Sequence, residues 1–484
     1  MPSFSKPFTP PSSVLIIGSG VFGLATALSL CRRDAFKDCS ITVIDRSDPS
    51  QPGAYPAPDA ASVDTNRIIR ADYADPDYAA LCDEAQAEWR KQEKPTDLGA
   101  QGRYNEVGLL LVADALSSTP TGAQECQDGH KPKLTGMDYV RESWANVTRL
   151  ASKDPTLAAR IKELPNPNAI RDALGTGGSS GDWGYLNLNS GWGNAGASMQ
   201  WHYEKAQQTG RIKFVAGTVV SLEHNDTTVT GARLSDGTVL SADLVVVAAG
   251  AWTGGLVDLS GQAAATGQAV AYIDLTEEEQ QKLSKMPVIL NLTTGLFIFP
   301  PVNRVLKVAR HAYGYLNPTI PVHPPLPLRP SSIPSSAPVS LPFTSANDPN
   351  LEIPAEGAAD LRRALREMIP WPDLRDRPFT KTRICWYSDT PTGDFIVDYH
   401  PYWKGLFVAT GDSGHAFKFL PVIGEKVADC IMGQCPPQFK EKWAWKVKDE
   451  SQIMPALSVV TEDGSRGGVA GLILVEELAK STTG

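Results

Sequence analysis

The chain has no long apolar stretch, since no run in its 484 residues approaches the roughly 18–20 residues of a membrane-spanning helix. It has no basic run either, and its net charge of -9 argues against a nucleic-acid surface. Its seven cysteines are scattered and include no Cys-x-x-Cys pair, which argues against a disulfide framework and a zinc site. We therefore expect no membrane, nucleic acid or metal as a partner.

Neither end of the chain carries a targeting signal. Met1 to Lys6 contain no apolar signal core, and the ending Lys480 to Gly484 is not a peroxisomal tripeptide. We therefore expect an intracellular, cytoplasmic protein. The hydrophobic content of 42% and charged content of 20% are typical of a globular protein, and the length indicates two domains that could be intertwined.

The most informative motif lies near the start of the chain. The apolar run Val14 to Ile17 ends in a Gly-x-Gly-x-x-Gly pattern formed by Gly18, Gly20 and Gly23, and a helix-like stretch follows. In such a motif the first glycine permits a tight turn and the second lets the backbone approach a pyrophosphate. The third glycine lets the helix pack closely on the strand. The pattern predicts a strand, a turn and a helix that together bind a dinucleotide.

Two further features support a dinucleotide site. The amide groups of Val21, Phe22 and Gly23 would face the phosphates at the positive end of the helix. Asp45 closes the next apolar run, 22 residues beyond Gly23, where it can accept the ribose hydroxyls. The alternative is an empty βαβ unit, and the motif does not distinguish FAD from NAD.

The nucleotide-binding sheet should be built from separate parts of the chain. The buried strand that begins at Leu244 ends in Ala248-Ala249-Gly250, small residues that suit a close approach to a cofactor. We expect the chain to leave this sheet near residue 50, return near 212–255 and return again near 405–430. The predicted dinucleotide domain comprises 10–75, 190–255 and 400–440, the substrate domain comprises 76–189 and 256–399, and 441–484 form a helical tail.

Local patterns predict several further elements. Three- and four-residue apolar spacing indicates a helix over 77–91. The predicted strands are 104–113, 212–223, 269–274, 296–299 and 305–309. The stretch 318–349 is rich in Pro and Ser, so it should cross the surface without a regular ladder. A mobile access loop is the functional alternative for this stretch.

Three segments resemble one flavoenzyme family. Residues 64–70 (Asp-Thr-Asn-Arg-Ile-Ile-Arg) are similar to the flavin-contacting segment of monomeric sarcosine oxidases. Residues 383–387, leading into 394–398, resemble that family's flavin-attachment segment, and 411–418 resemble its last FAD-binding turn. With the opening motif, these segments stand in family order across about 13–430. The sequence Gly-Asp-Ser-Gly-His at 411–415 and the sequence Trp443-Ala444-Trp445 resemble segments of the fungal amadoriases, also called fructosyl amino acid oxidases.

The resemblance implies a fold and an activity. The fold is of the α/β class, with a Rossmann-type FAD-binding domain similar to that of glutathione reductase, interleaved with a mixed-sheet substrate domain. The activity is that of an FAD-dependent oxidase of secondary amines. Such enzymes oxidise a C–N bond of an N-substituted amino acid to an imine that hydrolyses, and they reduce O2 to hydrogen peroxide. The family is often monomeric, so we expect a monomer.

Two residues carry the flavin chemistry in this resemblance. Cys385 matches the position that forms a thioether with the flavin 8α-methyl, whereas an isolated cysteine is ordinarily a small buried hydrophobe. Lys307 matches the lysine that activates oxygen, since a cation beside flavin N5 stabilises the charge that O2 acquires. Its alternation with aliphatic residues alone indicates a solvent-facing strand position.

Further residues match the family's substrate and cofactor contacts. Arg70 and Lys418 match the pair that holds the substrate carboxylate, and the alternative for Arg70 is a surface salt bridge with Asp72 or Asp75. His311 and Tyr387 match positions that orient the substrate, although a lone histidine is more often structural. The resemblance places five further residues against FAD: Asn66, Arg67 (on the flavin ring), Asp412, Gly414 and Phe417. Val219 also matches an FAD contact.

The chain departs from both branches of the family. Phe297 stands where sarcosine oxidases carry a tyrosine, which makes the pocket more apolar. His311 is the sarcosine-oxidase choice, and the Val-Cys-Asp-type stretch of amadoriases is absent after Lys307. With Trp386 or Trp443 nearby, the pocket would suit an N-methyl or cyclic amino acid with a bulky or aromatic side chain. A deglycating oxidase, an NAD-dependent dehydrogenase and a flavin-inactive scaffold are the alternatives.

Overall fold

A computed structural model describes residues 8–48, 51, 53–115, 134–332, 336–447 and 455–482. Its helices, in chain order, are α1 Val21–Arg32, α2 Pro76–Trp89, α3 Gly136–Ala151, α4 Pro155–Ala158, α5 Pro167–Leu174, α6 Ala195–Gln208, α7 Glu277–Leu283, α8 Ala355–Met368, α9 Leu420–Ile431, α10 Pro437–Trp443 and α11 Leu474–Thr482. Within these residues no helix is long and apolar enough to cross a membrane.

The strands form two principal sheets and several small ones. In chain order they are β1 Ser13–Ile17, β2 Ser40–Asp45, β3 Arg67–Ile69, β4 Tyr104–Asn105, β5 Leu109–Ala113, β6 Ile161–Leu164, β7 Trp183–Asn187, β8 Gly191–Gly193, β9 Ile212–Ala216, β10 Val219–Asn225, β11 Thr228–Leu234, β12 Val239–Ser241, β13 Leu244–Val247, β14 Ala264–Asp274, β15 Val288–Asn291, β16 Leu296–Ile298, β17 Val305–Arg310, β18 Tyr315–Leu316, β19 Pro318–Thr319, β20 Val339–Ser340, β21 Lys381–Asp389, β22 Ile396–Tyr399, β23 Leu406–Thr410 and β24 Leu472–Ile473.

The first sheet has the order β22-β23-β13-β1-β2-β9. The strands from β23 to β9 run parallel, and β22 is antiparallel to β23. Every residue of β13 and β23 is buried, as expected of Val- and Leu-rich strands with both faces covered. Helix α1 connects β1 to β2 and packs against α9. The predicted Rossmann-type sheet, built from separated parts of the chain, is therefore confirmed.

The second sheet is mixed and has the order β24-β18-β14-β17-β16-β15-β5-β7-β6, with β21 also paired to β14. Its longest strand, β14, pairs antiparallel with β17 and β21. Helix α8 lies on this sheet and is attached through Arg310, which donates to Glu356 at 2.5 Å and to Asp360 at 2.7 Å. The predicted mixed sheet is confirmed, and its β17 and β21 carry the residues of greatest interest.

The structure refines several local predictions. The predicted helix over 77–91 is α2, which begins at Pro76 because Asp75 caps it by accepting from the amides of Asp77 and Tyr78. The predicted strand 104–113 is two strands, β4 and β5, in different sheets. The predicted strand 212–223 is also divided, because the chain leaves the first sheet at Gly217 and enters the small β10-β11-β12 sheet.

The domain ranges remain a prediction, but the strands show where each part of the chain lies. Strand β22, at 396–399, belongs to the first sheet although it precedes the predicted range 400–440. The tail is not entirely helical, because β24 pairs with β18 in the second sheet. In its described residues, 318–332 and 336–349, the Pro-rich stretch contributes only the two-residue pair β19 and β20, as expected of a chain with few amide donors.

We expect Gly424→Ala to lower the free energy of unfolding by about 1–3 kcal/mol. A Cβ at position 424, inside α9, would stand 2.1 Å from the Ala25 carbonyl oxygen of α1, so the two helices would have to separate. Chemical denaturation measures the loss. The matched control is Gly196→Ala in α6, where the nearest atom is 3.9 Å away, and we expect it to stabilise by about 0.5–1 kcal/mol. Equal effects of the two substitutions would contradict this packing argument.

Candidate active site

The nucleotide-binding turn follows β1 and is closed by backbone contacts. The Gly18 amide, at φ +102°, donates to the Ile44 carbonyl at 2.8 Å. A Cβ on Gly18 would stand 2.4 Å from the Ala248 carbonyl oxygen, and one on Gly23 would stand 1.9 Å from the Gly18 carbonyl oxygen. Only residues without a side chain therefore let α1 begin directly against the strand ends.

Gly20 differs from Gly18 and Gly23, because no neighbouring atom excludes a side chain at this position. A Cβ at Gly20 would meet no atom within 4 Å, and Gly20 is the N-cap of α1 without a side-chain cap. The amides of Val21 and Phe22 therefore start a helix whose positive end is open to an anion. An open space in front of uncapped helix amides suits a pyrophosphate group.

Asp45 lies beside this turn. Its Oδ2 accepts from the Ser19 amide at 2.7 Å and the Ser19 hydroxyl at 2.8 Å, and its Oδ1 accepts from the Ser47 amide and hydroxyl, each at 3.0 Å. The two hydroxyls can rotate away, so a ribose hydroxyl can take their place. Val219 begins β10, close to where the Gly217 amide donates to the Asp45 carbonyl at 2.8 Å.

One buried carboxylate joins several of the predicted site residues. Asp64 Oδ2 accepts from Arg67 Nη1 at 2.5 Å and pairs with Lys307 Nζ at 2.8 Å, and its Oδ1 accepts from the Tyr272 hydroxyl at 2.9 Å. Lys307 Nζ also donates to the Asn66 carbonyl at 2.9 Å. The Asp64 and Lys307 side chains are each 1% exposed, so the solvent-facing alternative for Lys307 is wrong.

The surroundings of Lys307 and Asp64 lower the pKa of both side chains. Burial, followed by the Arg67 guanidinium, lowers the pKa of Lys307 to about 7, and Asp64 opposes both. Burial alone would raise the pKa of Asp64, but Lys307, Arg67 and Arg383 together hold it far below its ordinary value. Asp64 thus stays ionised while the lysine gains and loses its proton near neutral pH.

The mixed sheet presents alternate residues of β17 and β21, which both pair with β14, on one face. On β17 these are Lys307 and Ala309, and on β21 they are Cys385 and Tyr387, since side chains of a strand alternate between faces. Cys385 is 2% exposed and accepts a hydrogen bond from Arg67 Nη2 at 3.4 Å. The cysteine, the lysine and Arg67 therefore belong to one cluster, which the Asp64 carboxylate holds together.

Arg70 and Lys418 form a second, separate group of buried cations, each 5% exposed. Lys418 Nζ donates to the Tyr73 hydroxyl and to the His415 carbonyl, both at 2.9 Å, and the Arg70 guanidinium lies 4.8 Å from the Tyr73 ring centre. Burial, and then Arg70, lower the pKa of Lys418 well below its ordinary value. Among the described residues neither cation makes an ion pair with a carboxylate.

The acids expected beside Arg70 are occupied elsewhere. Asp72 is fully buried and accepts from Asn187 at 3.0 Å and from Ser190 at 2.6 Å. Asp75 caps α2 and pairs with Lys442. The surface salt-bridge alternative for Arg70 is therefore wrong, and its Nη1 is buried without a hydrogen-bond partner.

A directional hydrogen-bond chain fixes Lys418. His415 Nε2 lies 2.8 Å from the Gly393 carbonyl, which can only accept, so this nitrogen carries the ring proton. Nδ1 then accepts from the Tyr73 hydroxyl at 2.9 Å, and that hydroxyl in turn accepts from Lys418. Burial, and then Lys418, lower the pKa of His415, which agrees with a neutral ring.

Arg466, in the tail, is a site residue that the sequence reasoning missed. It donates from Nη2 to Asp389 Oδ1 at 2.5 Å and to the Ser413 carbonyl at 2.9 Å, and its Nη1 lies 3.0 Å from His311 Nδ1. Its guanidinium carbon stands 5.5 Å from the Tyr387 ring centre. The available signal was an arginine within Asp-Gly-Ser-Arg-Gly-Gly, a turn-like stretch in a tail predicted as helical.

The turn after β23 holds the remaining predicted cofactor residues. Asp412 accepts from the Gly414 amide at 2.9 Å and the Ser388 amide at 3.2 Å, and burial raises its pKa to about 6. Gly414 lies at φ +70°, and a Cβ there would stand 2.3 Å from the Tyr387 ring. Phe417 is buried against Trp89, with ring centres 5.7 Å apart.

Only one of the three expected aromatic pocket residues lies on the cluster face. Phe297 is half-buried, pairs with Ala309 across the sheet and packs against the Cys385 group. Trp386 points to the opposite face of β21 and donates to the Phe343 carbonyl at 2.9 Å. Trp443 is fully buried in α10. Neither tryptophan therefore packs on the face that carries Cys385, and their expected place at the substrate remains a prediction.

The site thus combines a dinucleotide-binding turn after β1 with a buried lysine and a buried cysteine on one face of the mixed sheet, where Asp64 binds Lys307 and Arg67 contacts Cys385. Such an arrangement defines a dinucleotide-dependent oxidoreductase. The FAD dependent oxidoreductase family model matches residues 13–430, and the chain belongs to this family. The NAD-dependent alternative is therefore wrong.

Named oxidases are similar in sequence to this chain over most of its length. The amino acid oxidase imqH of Aspergillus flavus is 34% identical over 469 residues, which cover 87% of this chain and 93% of the relative. L-saccharopine oxidase of Schizosaccharomyces pombe is 30% identical over 457 residues, covering 91% and 94%. The structure of fructosyl peptide oxidase from E. terrenum superposes with a TM-score of 0.75 at 25% identity, covering 98% of each chain.

The residues present fit FAD. The space in front of Gly20 is open to a pyrophosphate, and Asp45 can accept ribose hydroxyls. Two buried polar atoms, Asn66 Oδ1 and Arg70 Nη1, have no hydrogen-bond partner, so each can bond a bound molecule. Among the described residues no group of His, Cys, Asp and Glu is arranged to hold a metal ion.

We expect Asp64→Asn to move the deprotonation of Lys307 below pH 7, because it removes the carboxylate that opposes the burial of the ammonium. Lysine is a cation only below its pKa. If that cation speeds the reaction with O2, reoxidation of the reduced enzyme should slow by about tenfold per pH unit above this pKa. Stopped-flow reoxidation across pH 5–9 measures the shift.

The matched control is Glu279→Gln, which removes a carboxylate of α7 that is paired with Arg377 rather than with Lys307. It should leave the pH profile unchanged. Lys307→Met should abolish the pH dependence and slow reoxidation far more than flavin reduction. An Asp64→Asn profile identical to that of the parent enzyme would contradict this account of the carboxylate.

Proposed function

We propose that this chain is an FAD-dependent oxidase of secondary amines that acts on N-substituted L-amino acids. The substrate carries an N-methyl, cyclic or other N-alkyl group, and one C–N bond is oxidised to an imine that hydrolyses. O2 is the electron acceptor, and hydrogen peroxide is the second product. The relatives that are amino acid oxidases support the class of reaction.

The observation that carries this proposal is the group of buried cations. Arg70 and Lys418 are buried without a carboxylate partner among the described residues, and Arg70 Nη1 has no hydrogen-bond partner at all. A buried cation without a counter-ion is costly unless an anion binds there. The carboxylate of an amino acid is such an anion, and Arg offers it a planar fork while Lys offers a point charge.

The same cations favour the chemistry of an amine. A positive environment lowers the pKa of a bound secondary ammonium, so that the substrate is held as the neutral amine. His311 is itself neutral, because burial and then Arg466 lower its pKa, so it can orient the amine without adding charge. Bound FAD supplies the two-electron oxidation of the C–N bond and passes the electrons to O2.

Lys307 and Cys385 have separate roles in the proposal. The Lys307 ammonium, held by Asp64, supplies positive charge where O2 acquires negative charge. Cys385 attaches the flavin through a thioether at its 8α-methyl. Its burial beside Arg67, whose guanidinium donates to the sulfur at 3.4 Å, supports this role, because the contact holds the sulfur in one position on the cluster face.

A deglycating fructosyl amino acid oxidase is the second candidate, since the structure of a fructosyl peptide oxidase shares the fold. A sugar substrate needs several hydrogen-bonding partners for its hydroxyl groups. On the cluster face, Phe297 supplies none, and His311 Nδ1 already faces Arg466. These residues favour a bulky or aromatic side chain over a sugar.

We expect the yellow colour to remain in the pellet when the purified enzyme is precipitated with acid, because a thioether survives unfolding. Cys385→Ala should release the colour into the supernatant. The absorbance of pellet and supernatant, together with the mass of the intact chain, measures the attachment.

The matched control is Cys82→Ala, because Cys82 is also buried and donates to the Arg70 carbonyl at 2.7 Å rather than facing Arg67. It should keep the flavin in the pellet. Colour in the supernatant of the unmodified enzyme would overturn the covalent link but would leave FAD dependence intact.

We expect a peroxide-coupled panel to rank N-methyl and cyclic amino acids with bulky or aromatic side chains above fructosyl-valine and fructosyl-lysine. L-Saccharopine and sarcosine belong in the same panel. The corresponding N-methyl amine without a carboxylate should react at least about 100-fold less efficiently, because a paired charge in a buried site contributes several kcal/mol. If a fructosyl amino acid produced peroxide far more efficiently than every other compound of the panel, the proposed substrate class would be contradicted.

Arg70→Met should remove most of the preference for the carboxylate by raising KM for the acid more than for the amine. Arg171→Met is the matched control, because Arg171 is an exposed arginine on α5 that donates to Asn168. It should leave both values unchanged. If Arg70→Met raised KM equally for the acid and for the amine, Arg70 would not bind the substrate carboxylate.

A further inference from the structure

A turn of the tail, residues 463–468, lies against His311 and will be called the tail turn. Its Gly467 amide donates to the His311 carbonyl at 3.1 Å, and the His311 amide donates to the Gly295 carbonyl at 2.7 Å. A Cβ on Gly467 would stand 2.0 Å from the Thr294 carbonyl oxygen, so only glycine lets the tail turn approach this closely. The tail turn is therefore packed directly on the backbone that carries His311.

Two side chains of the tail turn face the two ring nitrogens of His311. Arg466 Nη1 lies 3.0 Å from Nδ1, and because a guanidinium can only donate, Nδ1 accepts and carries no proton. The Ser465 hydroxyl lies 3.4 Å from Nε2. This hydroxyl donates its own proton to Asp463 Oδ1 at 2.6 Å, so it presents a lone pair to Nε2. The contacts therefore run in one direction, and the ring is neutral with its proton on Nε2.

Arg466 is itself fixed by groups from both sheets. Its side chain is 1% exposed, and Nη2 donates to Asp389 Oδ1 at 2.5 Å and to the Ser413 carbonyl at 2.9 Å. Asp389, at the end of β21, also accepts from the Thr266 hydroxyl of β14 at 2.6 Å. Because a guanidinium is planar, the bonds at Nη2 set the direction in which Nη1 points. Arg466 therefore reaches His311 in a fixed orientation.

The same guanidinium stands beside the second residue that is expected to orient the substrate. Its carbon lies 5.5 Å from the Tyr387 ring centre, and the His311 and Tyr387 ring centres are 5.8 Å apart. The contact of Nε2 with Ser465, at 3.4 Å, is longer than an ordinary N–H···O hydrogen bond. Ser465 therefore binds the Nε2 proton weakly, and an acceptor atom of a bound molecule can replace it.

We propose that Arg466 and Ser465 are positioning residues of the oxidation, which hold His311 as the neutral tautomer with its ring proton on Nε2. His311 then meets the substrate as a hydrogen-bond donor, and the Ser465 oxygen accepts that proton when no substrate is bound. The contact of His311 with a substrate rests on the proposed function, whereas the tautomer does not. The orientation of His311 thus depends on a residue that lies 155 positions later in the chain.

The first test measures the tautomer in flavin-loaded enzyme that carries nitrogen-15 in its histidines. The His311→Gln variant identifies the His311 signals by their loss. Chemical shifts distinguish a ring nitrogen with a proton from one without, and couplings to the ring C–H groups distinguish Nε2 from Nδ1. We expect one neutral form at pH 7, with the proton on Nε2. A proton on Nδ1, or on both nitrogens, would overturn the proposal.

Arg466→Met removes the donor to Nδ1, so the ring should populate both neutral forms. This variant leaves the buried Asp389 carboxylate without its partner, and Asp389→Asn/Arg466→Met removes both charges and should give the same result in a more stable fold. Arg377→Met is the matched control, because Arg377 pairs with Glu279 at 2.6 Å and donates to the Asp274 carbonyl rather than to a ring nitrogen. It should keep the single form. One unchanged tautomer in both Arg466 variants, folded and flavin-loaded, would contradict the role of Arg466.

The second test separates positioning from general damage to the fold. Without O2, Arg466→Met should slow flavin reduction by an active N-substituted amino acid about 10–100-fold, because a small displacement of an orienting group has an effect of this size. Reoxidation by O2, which depends on Lys307, should stay unchanged. Ser465→Ala should keep the tautomer and slow reduction less, because Nδ1 still faces Arg466. Equal losses in the two half-reactions would show damage to the fold and overturn the positioning role.

The two tests also separate this inference from the proposed function. If the expected tautomer is found but no amine of the panel reduces the flavin, the proposed function fails, and with it the contact of His311 with a substrate, whereas the tautomer set by Arg466 stands. If amines reduce the flavin but the tautomer differs, the proposed function stands and this inference is overturned. The expected tautomer, together with slowed reduction in Arg466→Met, supports both.

Discussion

The arrangement of the site depends on the burial of the Asp64 carboxylate. Its two oxygens hold Lys307 from the mixed sheet, Arg67 at the start of β3 and the Tyr272 hydroxyl of β14. Removing one member of such a buried group leaves an uncompensated charge, at about 3–5 kcal/mol. The same contacts place Arg67 against Cys385 and keep the Lys307 ammonium away from water. Asp64 thus attaches strands β14 and β17 of the mixed sheet to the segment 64–67.

Beyond this cluster the site carries excess positive charge. Asp64 pairs with one lysine and one arginine, and Asp389 pairs with Arg466, but Arg70 and Lys418 make no ion pair with a carboxylate in the described part of the chain. Tyr73 and His415 hold Lys418 in place with neutral groups, so they orient the ammonium without neutralising it. A fixed, dry cation is the environment in which a substrate anion binds with defined geometry.

Motifs that act through the local backbone were predictable. Gly18 and Gly23 indicate a turn and a helix because only glycine permits their close backbone contacts, and Gly20 leaves open space in front of the helix. Asp75 with Pro76 marks the start of α2 by capping. Lys307, Cys385 and Tyr387 were predicted by resemblance, and they share one face of the mixed sheet because β17 and β21 both pair with β14. The division of 104–113 was missed, because β4 and β5 are separated by their partners rather than by their own residues.

The sequence by itself determined the dinucleotide-binding unit and the family, and it predicted most of the candidate site residues, since these follow from short segments with their own turn and strand chemistry. It did not determine that Lys307 would be buried rather than exposed, because alternation along a strand does not say which face another domain covers. Nor did it reveal Arg466 beside His311, which lies 155 residues earlier. Only the tertiary structure decided these placements, because the free energy of a buried charge depends on counter-charges contributed by distant parts of the chain.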